Sequence, residues 1–375
     1  MIVRPGDRLR CFSTDLNAVE FFDVDGDEDV TVEISIVNSK GVTSTFNEKY
    51  AVIDNKLAIY GLDEVVARFF DFDDDARIAG IGTRGLVAVN TDINMNISFP
   101  IYGNMIVTEF QLSFANVELD MDLPCRMFLS RSMEEQALSP DGVACVNFWS
   151  IPGYKLYYEI GYVEGGLYDI AVEHFNMSKE QLSCFVFNWS DMLDAARHES
   201  PNLELQDLRN VVFTLRDLSG RIKDSVEFTM EQSSYEKEFA FIGSMGEVEV
   251  LPFHGSRSRS AKFEGTYLDV DDKNRKVSTE FSLEYEARTG AIAGWQRDLV
   301  YDMAESNWVY LIEDGKTIPV TILEVNVDET EPHTAPIALS VKYRLSSNRA
   351  QRTFSRTPVV SAVATMNDDQ SNDID

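Results

Sequence analysis

The chain is poor in the residue types on which most recognisable chemistry is built. Its four cysteines, Cys11, Cys125, Cys145 and Cys184, stand far apart with no C-x-x-C pair among 375 residues. That spacing argues against structural zinc and for free thiols in a reducing compartment. The four histidines, His174, His198, His254 and His333, are scattered, and no H-E-x-x-H occurs. No apolar run approaches the ~18 residues of a membrane span. The opening "MIVRPGDRLRCF" carries charges but no apolar h-region, so neither a membrane contact nor a secretory leader is expected. Positive charge is also short: 33 Lys and Arg face 63 Asp and Glu, a formal net charge of −30. Such a field repels phosphate backbones, so sequence-specific nucleic-acid binding is not expected, while solubility and selectivity for basic partner surfaces are favoured.

What the chain does have is strand pattern. "VTVEISIV" (30–37), "LVAVNTDINMNISF" (86–99), "MIVTEFQLSF" (105–114), "YKLYYEIGYV" (154–163), "LYDIAVEHF" (167–175), "LSCFVFNW" (182–189), "NVVFTLRDL" (210–218) and "DSVEFTM" (224–230) are rich in β-branched and aromatic residues. Turn residues separate them, as at Asn38-Ser39-Lys40-Gly41, Gly165-Gly166 and Ser219-Gly220. Short strands at this spacing predict β-sandwiches. Two short helices interrupt them. "GLDEVVARFFDF" puts Leu62, Val65, Val66 and Phe69 on one face, with Asp63 and Glu64 in the first turn, where the helix dipole favours acids. "WSDMLDAARH" offers Ser190 as N-cap and Met192, Leu193 and Ala196 as its apolar face.

These helices punctuate an internal repeat of pattern. Residues 30–70 and residues 156–197 both run strand, glycine turn, strand, short strand ("KLAIY" and "SCFVF"), helix, and each is followed by a further strand pair. The chain therefore reads as mainly β: two tandem β-sandwich-like modules, 1–130 and 131–235, then a C-terminal α+β module with one packed helix, 236–357, and an acidic tail, 358–375. The tail ends "MNDDQSNDID", with four Asp and no cation, a composition expected to be disordered.

Candidate chemistry is weighed against plainer explanations. "GIGTRG" (80–85) fits G-x-G-x-x-G, but an acidic loop precedes it and "LVAVNTDI" follows. A dinucleotide site needs a strand before and a helix after, so a loop entering a strand is the reading. "DVDGDED" sets Asp23, Asp25 and Asp27 at alternate positions, yet Glu28 and Ile34 stand where an EF-hand needs Gly and Glu. A non-EF calcium site there remains an alternative to a solvated acidic turn, like those at "DFDDDA" (71–76) and "DVDDKN" (269–274). Ser244 in "IGSMG" lacks the first glycine of a nucleophile elbow. Nothing selects a carboxylate pair among 63 acids. No catalytic residue, cofactor or metal ligand is assigned, and an enzyme is not expected.

Two basic stretches stand out from the acidic background. "FHGSRSRSAKF" (253–263) carries Arg257, Arg259 and Lys262, and "KYRLSSNRAQRTFSR" (342–356) carries Lys342, Arg344, Arg349, Arg352 and Arg356, neither with any acid. Polyanion binding and a solvated loop are both open readings. The favoured one is a subunit contact, in which basic loops of one copy meet acidic surface on the next, so loss of Arg257 and Arg259 should weaken assembly and leave the monomer folded. Between these stretches, 291–308 reads as a helix with Ile292, Trp295, Leu299 and Met303 on its apolar face, opened by Thr289-Gly290 and closed by Ser306-Asn307.

The order "FIGSMGEVEVLPFHG", "STEFSLEYEARTGAI", a helix, "NWVYLIEDGKTIPVTI" and "ALSVKYRLSSNR" resembles the C-terminal region of tail-associated structural proteins of phages that infect Bacteroides-type gut bacteria. The likeness covers residues 236–350 best, and the earlier modules, with "GLDEVVARFF" after a hairpin, fit more loosely. "FIGSMG" departs from it, since that family more often has Asn before the Gly. The resemblance implies a non-enzymatic virion component of the tail, hub or baseplate, made and assembled in the host cytoplasm. It would act as a homo-oligomer in a ring, with other tail proteins as neighbours. A carbohydrate- or receptor-binding module at the tail tip is the alternative. It predicts exposed aromatics such as Trp149, Tyr154, Tyr157 and Tyr158 in "WSIPGYKLYY".

Overall fold

The computed structural model describes residues 1–24, 29–72, 78, 81, 85–88, 92–115, 128, 136–178, 181–231, 237–270, 273–292, 294–313, 315–327 and 337–346. The first module contains β1 (Ile2–Val3), β2 (Arg8–Phe12), β3 (Ala18–Phe22), β4 (Val30–Val37), β5 (Thr43–Tyr50), β6 (Val52–Ile53), β7 (Lys56–Tyr60), helix α1 (Leu62–Ala67), β8 (Gly85–Ala88), β9 (Ile93–Ile101) and β10 (Asn104–Ser113). One sheet has the order β1-β3-β7-β6 and the other β2-β10-β9-β4-β5. Alternation drives their packing: Val32, Ile34 and Ile36 of β4 are buried while the residues between them are not, which gives the sheet one apolar face to cover. Phe21 and Phe99 meet edge to face across the two layers at 5.0 Å.

The second module contains β11 (Gln136–Leu138), β12 (Val143–Ser150), β13 (Lys155–Glu164), β14 (Leu167–Asn176), β15 (Gln181–Asn188), helix α2 (Trp189–Ala196), β16 (Leu208–Arg216) and β17 (Ile222–Met230). Its large sheet runs β11-β17-β16-β13-β14. That is strand for strand the order of the first module's larger sheet, including a short first strand that joins parallel to the last one (β2 on β10, β11 on β17). The pair β3–β7 has its counterpart in β12–β15, both antiparallel. The pattern repeat is thus a repeat of topology. The two modules interlock through β8, which leaves the first and pairs with β15 of the second.

The third module contains β18 (Lys237–Ile242), β19 (Val248–Phe253), β20 (Arg257–Val270), β21 (Lys273–Ile292), helix α3 (Gly294–Glu305), β22 (Val309–Glu313), β23 (Lys316–Val327) and β24 (Ile337–Leu345). Its strands form one seven-stranded sheet, β19-β18-β22-β23-β24-β21-β20. Leu299, Val300 and Met303 of α3 are buried with Leu339, Val341 and Tyr343 of β24, the apolar stripe docking on one face of the sheet.

Three local expectations are corrected. Residues 86–99 are not one strand: β8 and β9 lie in different sheets. Asp92, between them, takes bonds from Arg10, Gln111 and Ser113, each at 2.9 Å. The cap of α2 is Asn188 rather than Ser190, with Asn188 accepting from the Asp191 amide and Asp191 accepting in return. The helix expected from 291 begins at Gly294, because β21 continues to Ile292 and pairs with Ile337. Its irregularity lies at Thr289-Gly290, where Gly290 takes φ +76° and His254 donates to the Thr289 carbonyl at 3.0 Å. Asp25 and Asp27, Cys125, most of "GIGTRG", the acidic tail and the Trp295 side chain lie outside the described residues.

The modules share a core. Every residue of β12 is buried. Val146 and Phe148 pack inside the second module, while Val143 and Cys145 pack with first-module residues and with Ile242, Val248 and Ile312 of the third. Trp308 closes the join, its ring 4.8 Å from Phe72 and 6.0 Å from Phe114. Phe72 is fully buried, so Phe72→Ala should destabilise the chain by about 3–5 kcal/mol. Calorimetry should show a single unfolding transition moved down as a whole, rather than one module melting early.

Candidate assembly surfaces

The basic residues of the third module do not form one patch. On β20, Arg257 lies opposite Ala287 and Arg259 opposite Tyr285, so both stand on the sheet face that carries Tyr285, Ala287 and Tyr343. Arg257 is half-buried, its guanidinium 4.6 Å from the Tyr285 ring and 3.3 Å from Glu313. The same carboxylate takes Lys237 at 2.5 Å. The Lys237 hydrogen bond, seconded by the charge of Arg257, holds Glu313 below the ordinary carboxylate range against the effect of burial. Burial pushes the neighbouring Tyr343 phenol up to about 12.

Lys262, Lys342 and Arg344 occupy the opposite face of that sheet, among acids. Lys262 is 2.6 Å from Glu284, and Lys342 is 2.6 Å from Glu324. Arg259 and Arg344 are exposed and make no ion pair among the described residues. Arg349, Arg352 and Arg356 lie outside the described residues.

The junction between the second and third modules is polar in a way that sequence reading missed. A cavity of about 280 Å³ is lined by Glu231, Glu238, Glu249, His254, Cys145 and Gln296. Glu238 is 8% exposed and accepts the Val143 amide at 3.4 Å across the junction. Burial drives its carboxyl up to about 7, against the hydrogen bond from Val143 and with help from Asp141. Asn147 of β12 grips Val248 of β19 at both ends of its amide: Nδ2 donates to the carbonyl at 2.7 Å and Oδ1 accepts from the amide at 3.2 Å. Nearby, the Ser244 hydroxyl donates to Asp302 of α3, and its amide does so at 3.3 Å. This fixes the β18–β19 turn to the helix. In isolation "GEVEV" reads as an exposed alternating strand. Glu249 is turned inward on the strand face that carries Leu251 and Phe253, the face α3 covers, and Glu247 is buried in the turn, where it accepts the Met245 amide at 2.7 Å.

Of the four aromatics expected of a carbohydrate platform, two are interior, and Tyr154 and Tyr157 are partly buried. Trp149 is 7% exposed and Tyr158 is fully buried. Arg10 stacks on Trp149 at 4.2 Å, tying the first module to the second. Tyr157 is stacked on His174 at 5.1 Å and covered by Arg216 at 4.2 Å.

No protein-family model matches the chain, and no curated protein matches it. Among solved structures, the tail of an empty GTA particle, determined with helical refinement and C6 symmetry, is 12% identical over 31% of this chain and 96% of that chain, with a TM-score of 0.21. The N-terminal four Ig domains of Dscam1 isoform 1.9 are 8% identical over 77% of this chain and 69% of that one, with a TM-score of 0.18. Titin domains I67–I69 are 7% identical over 93% and 88%, with a TM-score of 0.16. At those values none of the three likenesses bears on the role of this chain.

Two outcomes follow from the geometry. Arg257→Ala removes a half-buried ion pair and ring contact and should lower the stability of the isolated chain by about 1–2 kcal/mol, whereas Arg259→Ala should leave it within about 0.5 kcal/mol in urea unfolding. Arg257 therefore cannot separate assembly from folding, as was expected of both arginines, and Arg259 can. Glu238 binds its proton more tightly folded than unfolded, so its contribution is complete below about pH 4.5 and is lost as pH rises through about 7. Glu238→Gln should therefore stabilise the chain at pH 8 by up to roughly 3 kcal/mol and flatten stability between pH 5 and 8. Equal slopes for the two proteins in that window would refute this role.

Proposed function

We propose that the chain is a non-enzymatic structural component of a phage virion, in the tail, hub or baseplate, and that it works by self-assembly and contact with neighbouring virion proteins. The observation that carries this reading is the shared core: β12 is buried on both faces, and a single apolar cluster runs through all three modules. A chain joined in this way holds its outer surfaces at fixed distances and angles, which is what a building block needs and a flexible string of binding modules does not. The sequence resemblance of residues 236–350 supports the same reading. Assembly would give a homo-oligomer in the virion, formed in the host cytoplasm from a chain that uses no cofactor. The acidic surface would limit non-specific association.

The alternative, a carbohydrate- or receptor-binding module, loses its expected platform, since Trp149 and Tyr158 are interior. The deciding measurement is the mass of the untagged protein by size-exclusion chromatography with light scattering over a hundredfold concentration range, followed by negative-stain imaging. A closed ring or a concentration-dependent oligomer is expected. A strict monomer throughout, together with a positive glycan array, would transfer first place to the binding module.

A further inference from the structure

The topological repeat provides an internal control for surface chemistry. β5 and β14 are the same terminal strand of the same sheet in the two modules. On β5 the residues turned away from the core are Thr43, Thr45, Asn47 and Lys49, the polar dressing expected of a solvated edge. On β14 they are Tyr168, Ile170, Val172 and His174. Tyr168, Ile170 and Val172 are 56%, 41% and 47% exposed, and Leu167 at the strand start is 77% exposed. The fold does not require this, because β5 serves the same place without it. A ten-residue edge strand with an apolar outer face, and with no further strand beside it among the described residues, is a template for another strand.

The charges on the edges indicate which strand fits. β14 carries Asp169 and Glu173, so pairing with its own copy gathers like charges along one seam. The far edge of the third module is β20, terminal in its sheet. Its exposed stretch from Ser258 to Lys262 contains Arg259 and no acid, and pairing of this stretch with itself sets Arg259 near its own copy. Each edge thus disfavours itself, and the two attract each other.

We propose that β14 of one copy pairs edge to edge with β20 of a second copy, extending the second module's sheet into the neighbour's third module. The inference rests on the assembly reading above and gives it a geometry. The two edges are unlike and belong to different modules, so the contact is head to tail. It propagates round a ring or along a filament instead of stopping at a dimer.

The test mixes full-length chains carrying one introduced cysteine each, Ile170→Cys or Val172→Cys with Ser258→Cys or Ser260→Cys, all at exposed positions, and oxidises them at the concentration where the parent assembles. At least one β14–β20 combination should give covalent dimer at ten times or more the yield of any variant alone. Assembly with no mixed cross-link, or with Ile170→Cys linking to itself as well as to its partner, overturns the pairing and leaves the assembly reading standing. A parent monomeric at every concentration, with no cross-link, overturns both. As a second readout, Asp169→Arg and Arg259→Glu should each weaken assembly at least tenfold, and the chain carrying both should regain most of the loss. Additive losses in the double variant would count against the pairing.

Discussion

The structure depends on burial of one small sheet from both sides. β12 and β15 direct Val146, Phe148, Phe185 and Phe187 into the second module, and Val143, Cys145, Cys184 and Val186 toward the first and third. At roughly 25 cal/mol per Å² of apolar area removed from water, a strand covered on two faces secures about twice what an ordinary sandwich strand does. Here the second half of that gain belongs to contacts between modules. The polar groups at the seam are matched rather than diluted. Asn147 satisfies both backbone groups of Val248, and Glu238 accepts the Val143 amide at 3.4 Å. In a water-poor junction each such pair fixes one register, because any slip leaves a donor or acceptor unpaired.

How much of this was legible depended on whether a strand has one covered face or two. β4, β9 and β16 alternate, and their pattern alone identifies them as sandwich strands. The equivalence of the two modules was readable from the order of strand, turn and helix, because glycine turns and short amphipathic helices are local signals. β12 and β15 gave no alternation to read, and their second cover comes from residues about a hundred positions away, such as Val248. The same distance hid Glu238: a carboxylate in an alternating strand looks solvated until another module closes over it. The break at Asp92 was missed for a related reason. "LVAVNTDINMNISF" has strand composition throughout, and only the tertiary demand of Arg10, Gln111 and Ser113 on one carboxylate divides it.

The basic stretches show the limit of composition. Along the sequence, Arg257, Arg259 and Lys262 form one cluster. In the sheet the period of two sends them to opposite faces, and acids distant in sequence, Glu313 and Glu284, claim two of the three. A count of charges cannot distinguish an arginine occupied with holding its own fold from one directed at a neighbour.

That distinction sets the kind of contact such a chain can make. A formal charge of −30 means that two copies repel at long range, with the repulsion screened beyond about 8 Å at physiological ionic strength. Several of the third module's cations are spent within the chain: Lys237 and Arg257 on Glu313, Lys262 on Glu284, and Lys342 on Glu324. If copies associate as proposed, their attraction must therefore be short-ranged, from apolar area, backbone pairing and a few exposed arginines such as Arg259. Contacts of that kind fail when the surfaces are misplaced by an ångström or two. They are productive only on a body whose modules do not move relative to one another, and the doubly buried sheet is what supplies that body.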